Sequence, residues 1–191
     1  ATPSRPAPAA GDKRKPVLGA PGHPPPARPL DDVPARACRD LEWFFTDIDD
    51  TMTSGGLLPD RAYAALWDLS RAGIRVVPVT GRPAGWCDHI ARMWPVAAVV
   101  GENGAFYYSY DRQARRMHRR HAVPPADLAA GQERLSRVAR RVLAEVPGTC
   151  IAADQRFRVS DWAIDFSEDV PPLPDEGIDA ICRILDEEDV R

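Results

Sequence analysis

Three carboxylates, Asp47, Asp49 and Asp50, fall within four residues of one another, directly after the apolar run Trp43-Phe44-Phe45. Unpaired carboxylates are too costly to bury, so the chain must leave a core where they begin. The run before them has the length and aromatic content of a buried strand. Acids at the carboxyl end of such a strand stand where open parallel sheets bind ligands. Clustered there they suit a hard cation, and Mg²⁺ with oxygen ligands is the expected one. Two carboxylates one residue apart can also divide labour. A cation favours the charged form of a nucleophile, and a nearby like charge favours a protonated partner that carries the proton. Asp50 reads as a turn residue rather than a ligand.

The elements that must hold these acids follow in order. After a loop carrying Gly55-Gly56, Pro59-Asp60 opens a helix with Ala62, Ala65, Leu66 and Leu69 on its apolar stripe and Gly73 at its end. Residues 74–79 are nearly all β-branched, as in parallel strands buried on both faces. That strand stops at the polar stretch Thr80-Gly81-Arg82-Pro83, which repeats the arrangement at Asp47. A helix over 84–93 and a short strand over 96–100 complete a strand–helix–strand–helix–strand order. The fold class expected is α/β, a Rossmann-like parallel sheet core. Past Gly101-Glu102-Asn103-Gly104 the style changes to α+β. Strands are expected over 105–110, 117–123, 149–153 and 157–166, with helices over 125–146 and 175–188. The expected division is a tail over 1–40, the N-terminal part of the core over 41–104 and a second module over 105–191.

Composition narrows the function classes. No stretch of 18 apolar residues exists, so no membrane-spanning helix and no membrane partner is expected. Ten of the twenty prolines lie in residues 1–34, a composition that cannot offset its ordering entropy, so a disordered tail is expected there. The proline density also speaks against a transit peptide. The four cysteines, Cys38, Cys87, Cys150 and Cys182, show neither C-x-x-C nor histidine at zinc spacing, which makes free thiols and a cytoplasmic location the expectation. A net charge of −3 demands no nucleic-acid partner. The arginine-rich stretch at Arg112, Arg115, Arg116, Arg119 and Arg120 has charge on both strand faces, the mark of an exposed, solvated hairpin.

Asp47-Ile48-Asp49-Asp50-Thr51 after an apolar strand, Thr80-Gly81-Arg82-Pro83 thirty-odd residues on, and Glu102-Asn103-Gly104-Ala105 after the third strand together resemble the haloacid-dehalogenase (HAD) superfamily. The likeness covers roughly residues 41–191. It points to the subgroup with a larger α/β cap inserted after the third strand, which includes Cof-type sugar phosphatases, sucrose-phosphate phosphatases and mannosyl-3-phosphoglycerate phosphatases. The resemblance implies a Mg²⁺-dependent phosphatase acting on a small phosphorylated sugar or polyol through an aspartyl-phosphate. Asp47 would be the nucleophile and Asp49 the acid and base. Mg²⁺ would sit on the Asp47 carboxylate and the backbone carbonyl of Asp49. Thr80, Gly81, Arg82 and Asn103 would line the substrate side, with Thr80 bonded to a phosphoryl oxygen.

Two motifs of that family have no counterpart. No lysine follows Lys15, and no Gly-Asp pair follows Asn103. The core is therefore expected to be incomplete, the chain to be truncated after the cap, and residues 42–45 to present an apolar edge. Losing one preorganised charge of this kind commonly slows a reaction about 10²–10³-fold. Two other classes stand beside the phosphatase. One is a catalytically inactive module that binds a phosphorylated ligand or a protein; the other is an RNA-binding protein using the arginine hairpin. Of the single features, Arg82 reads equally as phosphate clamp or helix-end charge, and Asn103-Gly104 reads first as a turn. Cys87 and His89 read as helix packing or surface, because i, i+2 spacing does not bring two helical side chains together.

Overall fold

The computed structural model describes residues 32–34 and 38–190. The expectations for the Pro-rich stretch, including the disordered tail and its Lys13-Arg14-Lys15 cluster, fall mostly outside the described residues. The description below concerns the unit Asp40–Arg191. Among the described residues no helix is long and apolar enough to cross a membrane.

The first half alternates strand and helix: β1 (Trp43–Thr46), α1 (Asp60–Arg71), β2 (Arg75–Pro78), α2 (Ala84–Met93) and β3 (Val99–Gly101). β1 and β2 are parallel, with Phe44 opposite Val76 and Phe45 opposite Val77. A parallel bridge between Val79 and Val100 joins β2 to β3, so the three strands run side by side. Local sequence explains the bounds. Pro59 precedes α1 in an extended conformation, Asp60 sits at its positive end, and Gly73, at φ 83°, allows the turn into β2. Leu66 of α1 packs on Val76 and on Met52 from the loop after β1.

The hairpin β4 (Phe106–Asp111) and β5 (Arg116–His121) is antiparallel, and β4 pairs with β3. It therefore continues the core sheet. Phe106 and Tyr108 face inward onto Ala84, Cys87, Ile90 and Ala91 of α2, together with Ile48 and Val99. Gly101 is required by this packing, because a Cβ there would lie 2.4 Å from the Phe106 ring and 2.6 Å from the Cys87 sulfur. The remaining elements are α3 (Pro125–Glu145), β6 (Cys150–Ile151), β7 (Ile164–Asp165) and α4 (Asp175–Glu187). They have a core of their own, in which Val138, Val142 and Val146 meet Ile184 and Leu173. This is an α/β fold in which β1 and β2 form a parallel ladder and an isolated parallel bridge brings β3 alongside.

Two sequence expectations need correction. The strand expected over 157–166 is mostly irregular chain that follows a 3-10 turn, Gln155–Phe157, with only Ile164–Asp165 in a ladder. The reason is that its backbone amides are taken by a side chain, as described below, and not by a neighbouring strand. The strand Trp43–Thr46 is also far less buried than its composition suggests, with Trp43 45 %, Phe44 41 % and Phe45 63 % exposed. β2 is its one partner strand among the described residues, which leaves the apolar edge anticipated for residues 42–45.

Candidate active site

The acids after β1 are turned outward by their apolar neighbours. Ile48 and Met52 are buried, and the Ile48 carbonyl accepts the N–H groups of Thr51, Met52 and Thr53 in a tight helical turn. Asp47, Asp49 and Asp50 are thereby left toward solvent. Asp50 adopts φ 55° and donates its N–H to Thr53 Oγ1 at 3.0 Å, which is the turn role read from the sequence. Asp47 is exposed; one carboxylate oxygen accepts its neighbour Ile48 N–H at 2.7 Å. Asp49 is engaged on both oxygens. Arg82 donates to it from Nε at 3.1 and 3.2 Å and from Nη2 at 2.8 Å, a bidentate fork. That hydrogen bond outweighs burial and raises the pKa of the guanidinium further above its usual range.

The turn after β2 supplies the second wall. Thr80 is buried, donates its N–H to the Val100 carbonyl, and accepts the Arg82 N–H on its hydroxyl at 3.1 Å. Among the described residues the Thr80 hydroxyl donates to no acceptor. Asn103 donates its N–H to the Thr80 carbonyl, and Glu102 donates its N–H to the Arg82 carbonyl. The loops after β2 and β3 are thus zipped together. Gly81 is the point of closest approach, since a Cβ there would meet Asn103 Oδ1 at 3.0 Å. Thr80, Gly81, Arg82 and Asn103 lie at this one end of the sheet, and Arg82 connects the group to Asp49.

The residue that sequence reading passed over is Glu102. Its side chain is 3 % exposed, and its carboxylate accepts backbone N–H groups from both halves of the molecule. Ala84, at the start of α2, donates at 2.9 Å. Val159 donates at 2.9 and 3.2 Å, Ser160 at 2.6 Å and Asp161 at 3.0 Å. A buried carboxylate is tolerated only with such compensation. Glu102 and Asn103 hold φ of 44° and 56°, sparsely populated for side-chain-bearing residues. The four amide donors over-determine that conformation. The available signal was an acid directly after an apolar run, the same signal that marks Asp47.

Two more contacts bring the second module to the site. Arg158, nearly buried, pairs with Asp154 and Asp161 at 3.0 Å each and donates to the Gly81 carbonyl at 3.1 Å. Burial pushes the Asp161 carboxyl up, against the pull of Arg158. Glu168 approaches Arg82 at 3.8 Å. Its loop is held by Asp165, whose carboxylate accepts the N–H groups of Ser167, Glu168 and Asp169. The hairpin arginines act locally in part: Arg112 donates to the Arg92 and Trp94 carbonyls, and Arg119 pairs with Asp88 at 2.8 Å. Cys87 is fully buried and its thiol is pushed up to about 12, mainly by burial and further by Glu102. It is packing, not a nucleophile.

Tested against Mg²⁺, the donors are right in kind and few in number. Asp47 has one carboxylate oxygen without a protein partner among the described residues, and Asp49 offers its backbone carbonyl while both side-chain oxygens are on Arg82. Among the described residues no group of three His, Cys, Asp or Glu converges on one point. The set present does not by itself make a metal site.

The site thus combines acids after the first strand of an α/β sheet with a threonine–arginine turn after the second. Residues 44–129 match the family model of haloacid dehalogenase-like hydrolases. No curated protein matches the chain by sequence. Among solved structures it is similar to a Thermoplasma acidophilum protein (13 % identity over 77 % of this chain and 57 % of that one, TM-score 0.57). It is also similar to a haloacid dehalogenase-like hydrolase from B. subtilis (19 % identity, 73 % and 42 %, TM-score 0.42). A third similar structure is the Aspergillus fumigatus trehalose-6-phosphate phosphatase (17 % identity, 77 % and 53 %, TM-score 0.39). The first of these carries the fold. The chain spans roughly half the length of these structures, between 42 % and 57 %.

Proposed function

We propose that this chain carries the nucleophile half of a phosphoric monoester hydrolase. The observation that supports the reading best is the Asp47–Asp49–Arg82–Thr80 group at the carboxyl ends of β1 and β2. Asp47 is the exposed carboxylate at the end of its strand, and its free oxygen would attack phosphorus to give an aspartyl-phosphate while the alkoxide departs. Thr80 would offer its hydroxyl proton to a phosphoryl oxygen, and Asn103 would border the same space beside Gly81. Asp49 would protonate the leaving oxygen and then take a proton from water. It can do so only after Arg82 exchanges it for the incoming phosphate, which presents the guanidinium with another anion of bidentate geometry. Mg²⁺ would supply neutralisation of phosphoryl charge in such chemistry; the Asp47 carboxylate and the Asp49 carbonyl would be this chain's donors, and the set needs further ligands. The substrate class proposed is a small phosphorylated metabolite, a sugar or polyol phosphate, and the compartment proposed is the cytoplasm.

The test is p-nitrophenyl phosphate turnover with Mg²⁺, compared between the parent and Asp47→Asn. Turnover that survives the substitution sinks the assignment of Asp47. A second reading, a module that binds phosphorylated ligands without turnover, is favoured by one observation, that both Asp49 oxygens are occupied by Arg82. Phosphate-ester binding equal in parent and Asp47→Asn, with no hydrolysis in either, selects that second reading.

A further inference from the structure

Beside the Asp49–Arg82 pair lies a cleft of about 440 Å³ lined by Gly85, Trp86, His89 and Phe157. Trp86 is 50 % exposed and Phe157 44 % exposed, although each is a large apolar side chain. Each ring has a guanidinium over it: Arg82 lies 5.0 Å from the Trp86 centroid and Arg156 lies 4.7 Å from that of Phe157. Gly85 makes the cleft possible. A Cβ at that position would stand 3.1 Å from the Phe157 Cβ and 3.3 Å from its Cδ1, so the missing side chain lets Phe157 settle against α2. The cleft is therefore built from both modules, and it shares Arg82 with the phosphoryl group's proposed place.

From this geometry we propose that the cleft takes the leaving group of the phosphate ester, and that the leaving group is a ring. The inference rests on the reading of Asp47 and Arg82 as the phosphoryl site, and it narrows the substrate class given there. Of the lining side chains, His89 and the single indole N–H of Trp86 are the hydrogen-bonding groups, few for a ligand rich in hydroxyls. An acyclic polyol would lose the hydration of its hydroxyl groups there with little in exchange. A flat ring, whether an aryl ring or the apolar face of a cyclic sugar, replaces water on both aromatic side chains at no such cost. The two guanidinium groups at the rim complement a ring that carries a phosphate. Among the described residues Arg82 Nη1 has no closer partner than Glu168 at 3.8 Å, so it can reach the phosphate end while the ring lies against Trp86.

The experiment measures binding without turnover, by calorimetry on the full chain carrying Asp47→Asn. The ligands are inorganic phosphate, glycerol phosphate as the acyclic arm, a cyclic hexose phosphate, and p-nitrophenyl phosphate as the aryl arm. Ring-bearing phosphates are expected to bind about tenfold more tightly than glycerol phosphate. Trp86→Ala and Phe157→Ala, at sites exposed enough to leave the fold intact, are each expected to remove most of that preference, read as the ratio of ring-phosphate to glycerol-phosphate affinity. The hexose and aryl arms tell which ring the cleft favours. Inorganic phosphate bound with no preference for rings, or a preference that survives both substitutions, overturns this inference alone. Failure of every ligand, inorganic phosphate included, overturns the phosphoryl site and this inference together.

Discussion

Glu102→Gln isolates the contact that joins the two modules. Glutamine keeps the size of glutamate and bears the same backbone cost at φ 44°, so the substitution changes only the acceptor chemistry. The carboxylate has two acceptor oxygens serving four donors: one takes Ala84 and Val159, the other Val159, Ser160 and Asp161. An amide has one. With its oxygen toward Ser160 and Asp161, its NH₂ is aimed at the N–H of Ala84. Flipped, it keeps Ala84 and Val159 and turns the NH₂ onto Ser160 and Asp161. An orphaned buried donor costs about 1–3 kcal/mol, and bonds to a charged acceptor are the stronger kind. The expected loss is at least about 2 kcal/mol, a considerable share of the roughly 5–15 kcal/mol typical of a domain. The segment 158–161 can lift from α2 without opening either hydrophobic core, so the loss should appear first as local opening. Hydrogen exchange followed by mass spectrometry is expected to quicken about 30-fold over 158–161, with a smaller fall in the urea midpoint. A glutamine variant whose exchange over 158–161 and urea midpoint both match the parent would refute the assignment of Glu102 as the join.

Three further outcomes are expected. Arg82→Ala breaks a pair whose Asp49 carboxylate is 42 % exposed, so stability should fall by no more than about 1 kcal/mol, while the KM for a phosphate ester rises at least about tenfold; urea unfolding and steady-state kinetics on the same preparation separate the two effects. Cys87 should resist a disulfide-exchange reagent in the native protein while the exposed Cys182 reacts, and should become reactive on denaturation. Rapid native labelling at Cys87, read by peptide mapping, contradicts its burial. Phe45→Lys places a charge on the open side of β1 and should alter stability by less than about 0.5 kcal/mol while reducing concentration-dependent association in light scattering. Association unchanged by this substitution means that the β1 edge is not where chains meet.

Local patterning carried most of the architecture. The helix expected over 84–93 forms at those bounds, and the strand order through Gly101 follows from apolar runs that stop at polar turns. Such elements are legible because period and stop signals act over a few neighbouring residues. The acids at Asp47 and Asp49, and the threonine–arginine turn, were visible for the same reason, since polar residues directly after an apolar run mark where a strand stops. The sequence alone also determined that no lysine follows Lys15. What it left open depended on residues far apart in the chain. Arg82 read equally as clamp or as helix-end charge until the fold brought it onto Asp49, 33 positions away. The segment 157–166 carried strand-like composition, yet its amides turned to Glu102, up to 59 positions away. Hydrogen bonds and ion pairs at such separations exist only once loops are closed and modules packed. The element types were therefore set by local chemistry, and the partners of Asp49 and Glu102 by tertiary structure.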